Sequence, residues 1–117
     1  MIRIEVPGRC VPAPRMTRYG KHSPTTMRYM HYRNQIGWIA KQKKVPKLQG
    51  PVVFSAIIYL SRGKGGVGDL DNYAKTLKDA LNGIAWEDDR QVVEAHLYKV
   101  FIPKNDSERV VIEIDKA

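Results

Sequence analysis

Six carboxylates, those of Asp69, Asp71, Asp79, Glu87, Asp88 and Asp89, fall within GVGDLDNYAKTLKDALNGIAWEDD, residues 66–89, of a chain whose formal net charge is +8. Asp69 and Asp71 are two apart, which puts them on different faces inside a regular helix. At a loop-to-helix junction they need not diverge: Asp69 can turn inward from the loop while Asp71 occupies the first turn. Asn82-Gly83 stops that helix, and the reversal that follows could return Asp88 or Asp89 toward the other two. Three carboxylates brought together repel unless protonated or bound to a cation. Hard oxygen donors suit Mg²⁺ or Mn²⁺ and leave positions for water and phosphate oxygens. The competing reading is structural: Asp69 or Asp71 as a helix cap, Asp88 and Asp89 as a solvated turn.

Lys75 lies four residues after Asp71 and four before Asp79, on one side of the helix. It either completes an acid-base ladder worth a few tenths of a kcal/mol, or stabilises charge developing on a phosphodiester beside a bound metal. The other chemistry-bearing residues point elsewhere. His22, His31 and His96 form no H-E-x-x-H pair. Cys10 is the only cysteine, so there is no intrachain disulfide and no Cys cluster for zinc. SRGKGGVG, residues 61–68, lacks both the P-loop and the dinucleotide glycine order. Trp86 reads as a core anchor rather than a site wall. Tyr19, Tyr29 and Tyr32 could stack on unpaired bases, but packing is the stronger reading for the last two.

Charge divides the chain. Residues 1–50 hold eleven Lys or Arg against Glu5 alone, whereas residues 51–117 hold nine basic and eleven acidic residues. The basic part suits a polyanion, DNA or RNA first, while the acidic part does other work. No apolar run is long enough to cross a membrane and no signal-peptide core is visible, which makes a cytoplasmic location the expectation.

The elements that must position these residues follow from periodicity. Ile2, Ile4 and Val6 alternate as a strand stopped by Pro7-Gly8. Prolines 12, 14 and 24 with Gly20 predict a long basic loop, at about 9–28, carrying Arg9, Arg15, Arg18, Lys21 and Arg28. A helix is expected over 29–44, its stripe formed by Tyr29, Tyr32, Ile36 and Ile39 and broadened by Met30, Trp38 and Ala40. VVFSAIIYL, 52–60, is a central strand. Leu70, Ala74, Leu77, Leu81 and Ile84 mark the second helix. Strands follow with Val93, Ala95 and Leu97 on one side, and with Val110, Ile112 and Ile114 together, joined tightly through 103–108. The order β-α-β-α-β-β predicts a mixed or antiparallel sheet with helices on one face.

DLDNYAK at 69–75, KDALNG at 78–83 and WEDDRQVV at 86–93, after a basic segment with Pro12, Pro14 and Arg15 and a helical YRNQI, resemble the RusA family of Holliday-junction resolvases. The resemblance implies one α+β domain over 1–117, a two-layer arrangement with a mixed sheet and two principal helices on one face. It implies a homodimeric endodeoxyribonuclease, dependent on Mg²⁺ or Mn²⁺, that nicks opposing strands of a four-way junction in recombination and repair. Family positions fall on Asp69, Asp71, Lys75 and Asp89 as catalytic residues. Asp69, Asp71 and Asp89 would be metal ligands, with Asp88 as an alternative. Arg15, Arg18, Lys21 and Arg28 are the expected phosphate contacts. The interval between DLDN and Trp86 is one residue shorter than in the bacterial pattern and the basic loop differs, which bears on cleavage preference. A bacterial or phage origin accompanies the resemblance. Two alternatives stand beside it: a non-catalytic nucleic-acid-binding protein, and a Mg²⁺-dependent nuclease for flaps, single strands or RNA.

Overall fold

A computed structural model describes residues 1–14, 23–62 and 67–117. Its elements are β1 (Ile2–Pro7), α1 (Pro24–Gln42), β2 (Val52–Ser61), α2 (Leu70–Leu81), a 3-10 turn (Asp89–Gln91), β3 (Val92–Ile102) and β4 (Arg109–Lys116). Alternation sets the sheet: Ile4, Val6, Val52, Phe54, Ala56, Ile58, Leu60, Val110, Ile112 and Ile114 point to one face and are buried. Against them pack Tyr32, Ile36 and Ala40 of α1 and Tyr73, Leu77 and Leu81 of α2, in one apolar cluster. The fold is α+β, with a four-stranded mixed sheet under two helices.

Strand order is β1-β4-β2-β3. β4 runs antiparallel to both β1 and β2, while β3 runs parallel to β2. The connection through 103–108 is therefore not a turn between neighbours: it carries the chain past β2 so that the last strand fills the centre of the sheet. A parallel pair needs a crossover, and α2 supplies it. The register slips between Val52 and Val53, so that Val52 faces Val92 but Val53 faces Glu94. Val93 is the extra residue, and of the expected face Val93, at 62%, and Ala95 are exposed while Leu97 alone is partly buried against the core.

Helix α1 starts earlier than its apolar stripe suggests. Ser23 Oγ accepts the Thr26 N–H at 3.1 Å, and Pro24 opens the helix where its missing N–H leaves nothing unsatisfied. Arg28, expected on the loop, consequently lies on α1 and is exposed. Met30 and Trp38 do not widen the buried stripe; both face solvent, Trp38 at 67%.

Cys10 is 2% exposed beside Tyr32. Burial pushes its thiol up to about 12, so little thiolate exists at neutral pH. The expected result is that iodoacetamide leaves native protein unmodified at about pH 8 but takes up one equivalent per chain in guanidinium, followed by mass spectrometry. Rapid native labelling would show that the segment around Cys10 opens.

Candidate active site

Asp69 is the N-cap position of α2, with extended backbone (φ −74°, ψ 147°), and its carbonyl accepts the N–H groups of Asn72 and Tyr73, both at 3.1 Å. Its carboxylate makes no capping bond, and Asp71 in the first turn is likewise exposed and without a partner among the described residues. The cap reading thus fails for both side chains, which leaves four hard oxygens open to solvent at the positive end of a helix.

The junction under them is clamped. The Tyr73 hydroxyl, on a ring that is 1% exposed, accepts the Gly68 N–H at 2.8 Å, and Lys99 Nζ on β3 donates to the Gly68 carbonyl at 3.2 Å. A Cβ on Gly68 would sit 2.9 Å from Pro12 Cβ and 3.2 Å from Tyr73 Cζ, so this position must stay small. Ala13 N–H donates to the Asn72 carbonyl at 3.1 Å, tying the proline segment to the same turn. Gly68, Tyr73 and Lys99 escaped the sequence reading. Gly68 closes a glycine-rich run that matches no phosphate-binding order, and nothing in the spacing of Tyr73 or Lys99 marks them as its partners.

Lys75 is exposed one turn further along and pairs with neither Asp71 nor Asp79. Asp79 is engaged elsewhere, its Oδ2 accepting the Tyr29 hydroxyl at 3.0 Å and joining α1 to α2. A groove of about 260 Å³ between the helices is lined by Tyr29, Arg33, Lys75 and Asp79, among others. The ladder expected for a surface helix is absent among the described residues, and the Lys75 side chain is exposed.

Asp88 and Asp89 lie in the return turn, and they differ. Asp88 caps the 3-10 turn, accepting Arg90 N–H at 2.9 Å, and takes the Arg90 guanidinium at 3.0 and 3.2 Å. The guanidinium bond first, and the backbone bond second, hold its carboxyl below the usual range. Gln91 fixes the turn from the other side: its amide oxygen accepts from Glu87 and Asp88 N–H, and its nitrogen donates to the carbonyls of Leu48 and Gly50 at 2.9 Å each. Asp89, at the first position of the turn, does not cap it and lies beside Asp88, its charge also favouring the Arg90 guanidinium.

The structure does not return Asp89 to Asp69 and Asp71 within one chain. α2 begins where β2 ends, and the return turn delivers the chain beside the start of β2, where Val52 faces Val92. Twelve residues of helix separate those ends, about 18 Å at the usual rise. Accordingly, no group of three or more His, Cys, Asp or Glu side chains that could hold an ion occurs among the described residues. The sequence reading failed here because a reversal after Gly83 (φ +80°) looks the same in the chain whether it closes a hairpin or serves a crossover. Of the expected phosphate contacts, Arg28 is exposed on α1, while Arg15, Arg18 and Lys21 lie outside the described residues.

With that geometry, comparison with known families is decisive: a model described as Endodeoxyribonuclease RusA matches residues 7–115. The chain belongs to the RusA endodeoxyribonuclease family. The match takes in both helices, β2, β3, Asp69, Asp71, Lys75 and the return turn. RusA nucleases act on branched DNA and resolve Holliday junctions. A comparison with curated proteins finds no match. No helix among the described residues is long and apolar enough to cross a membrane.

Proposed function

We propose that this RusA-family chain hydrolyses phosphodiesters at four-way DNA junctions with the help of a divalent cation, Mg²⁺ or Mn²⁺, held by Asp69 and Asp71. The observation that carries the proposal is the pair of unpartnered carboxylates on a clamped loop-to-helix junction, in a chain matched by the endodeoxyribonuclease family over 7–115. Two carboxylates with water and phosphate oxygens are an ordinary donor set for Mg²⁺. When bound there, such an ion supplies polarisation of the scissile phosphate and a water of lowered pKa.

The chain's own residues do the rest. Lys75, exposed beside Asp71 on the same helix, counters the negative charge that grows on the phosphate in the transition state. Asp89 is the third catalytic carboxylate, favoured over Asp88 because Asp88 is spent on Arg90 and on the cap. Arg28 and the exposed Lys41, Lys43 and Lys44, with Arg15, Arg18 and Lys21, track the backbone of the DNA arms. A homodimer presents two sites to opposing strands. A single domain working in the cytoplasm on recombination or repair intermediates, in a bacterium or a phage, completes the reading.

The test is cleavage of a labelled four-way junction against linear duplex, flap, single-stranded DNA and RNA at equal salt, with Mg²⁺ or with EDTA. Paired nicks in the junction alone, abolished by EDTA, are expected. Equal cutting of flap or RNA would move the substrate assignment, and tight junction binding without cutting would make the chain a binding module.

A further inference from the structure

We propose that the groove between α1 and α2 is a subsite for unpaired nucleotides beside the scissile phosphate, with a base stacked on Trp38 and phosphates held by Arg33 and Lys41. The inference rests on the nuclease reading and deepens it, by naming the part of a branched DNA that this face takes.

The groove starts at the candidate active site. Its first stretch, about 260 Å³, is lined by Lys75 and Tyr29, and its second, about 520 Å³, by Trp38, Lys41 and Ile84. Arg33 and Asp79 line both, so the two stretches are continuous. Tyr29 meets Asp79 along the first, and Gly37 lies against Ile84 along the second, so the helices run side by side. Gly37 and Ala80, both small and buried, form the floor of the wider stretch and leave the Trp38 indole standing as its wall. Arg33 and Lys41 are two turns apart on α1, about 12 Å along its axis, with Trp38 between them.

Charge and shape select the occupant. No Asp or Glu occurs between Glu5 and Asp69, so a second copy of α1 would set cations against cations, whereas a polyanion meets the face favourably. Arg33 and Lys41 form no ion pair among the described residues. Asp79 is the one acid in the lining, and the Tyr29 hydroxyl already donates to it at 3.0 Å. The tyrosines of α1 that were candidates for base stacking, Tyr29 and Tyr32, are buried; the large ring this helix leaves in solvent is Trp38. An indole flanked by unpaired cations matches a strand whose phosphates carry charge and whose bases present a flat apolar face. In duplex DNA those faces are covered by neighbouring bases. The subsite therefore discriminates unpaired from paired nucleotides.

Binding in EDTA tests this apart from cleavage. Oligothymidylate, a linear duplex, and a four-way junction with a short unpaired gap at its branch are titrated at equal salt, by gel shift and by tryptophan emission. Of the two tryptophans Trp86 is fully buried, so quenching reports Trp38. Oligothymidylate and the gapped junction are expected to quench the emission. Trp38→Ala should weaken both by about tenfold, the scale of one lost stack, with duplex affinity and the salt slope unchanged, and Trp38→Phe should keep most of the affinity. Arg33→Gln combined with Lys41→Gln should instead flatten the salt slope for single strands. A Trp38→Ala chain that binds unpaired DNA as wild type does, or loses duplex and single strand equally, overturns the proposal. So does emission that responds to phosphatidylglycerol vesicles and not to DNA, or a Trp38→Ala chain that sediments as a smaller species than wild type. The two readings fail separately: quenching by unpaired DNA in a chain that cuts nothing supports the nucleotide subsite and ends the nuclease reading, while junction cleavage with an indifferent Trp38 does the reverse.

Discussion

Asp71→Asn leaves the fold and junction binding intact and lowers the cleavage rate by about 10³-fold or more, the scale of loss when a charge that acts in the transition state is removed. The side chain is exposed and makes no bond within the described residues, so the substitution deletes a charge without breaking a contact. Binding survives because phosphate contacts come from the basic residues and are additive over the footprint. Gel-shift affinity at fixed salt and single-turnover cleavage, measured on the same preparation, separate the two effects. A variant that still cuts within about tenfold of wild type would remove Asp71 from the chemistry. Parallel loss of binding and cutting would instead make it a contact residue.

Trp86→Ala is the stability counterpart, with an expected cost of about 3 to 5 kcal/mol. The ring is fully buried and meets Phe54 edge-on, at 6.1 Å between centroids and 84° between planes. Its backbone bridges to Leu48 and Asn82, and its carbonyl accepts the Gly83 N–H at 2.7 Å. Truncation therefore opens a cavity where α2, the return turn and β2 meet, and it takes a large part of the 5 to 15 kcal/mol or so that a small domain has available. Urea unfolding with an unchanged m-value checks the figure. Trp86→Phe should cost clearly less, since the indole Nε1 is buried without a hydrogen-bond partner among the described residues and its loss orphans nothing. A loss under about 1 kcal/mol for the alanine variant would place the ring outside the core.

Much of this architecture was legible because burial writes a period into sequence. The alternation in β1, β2 and β4 and the spacing of Ala74, Leu77 and Leu81 define the sheet face and the helix that covers it. Local rules that depend on one atom were harder to read. Pro24 looks like a breaker until Ser23 Oγ is seen to cap the turn ahead of it. Val93 fits an alternating strand until the bulge opposite Val52 turns it outward. The candidate site's carboxylates are legible as residue types, but their arrangement is not. Asp69, Asp71 and Asp89 carry the same chemistry wherever they stand, whereas the distance between them depends on which strand β3 pairs with and in which direction. Parallel pairing is a property of the whole sheet, so no spacing within 66–93 could reveal it.

The place of β4 between β1 and β2 governs how the molecule comes into being. Arg109–Lys116, more than a hundred residues after β1 begins, join that strand to the rest. Until they exist, β1 has no neighbour, and Ile4 and Val6 have no sheet to complete. Contacts that span nearly the full chain close slowly, because the loop entropy is lost before the pairing energy is gained. Without β4 the sheet is cut to the parallel pair β2–β3, and β1 with its buried Ile4 and Val6 has nothing to join.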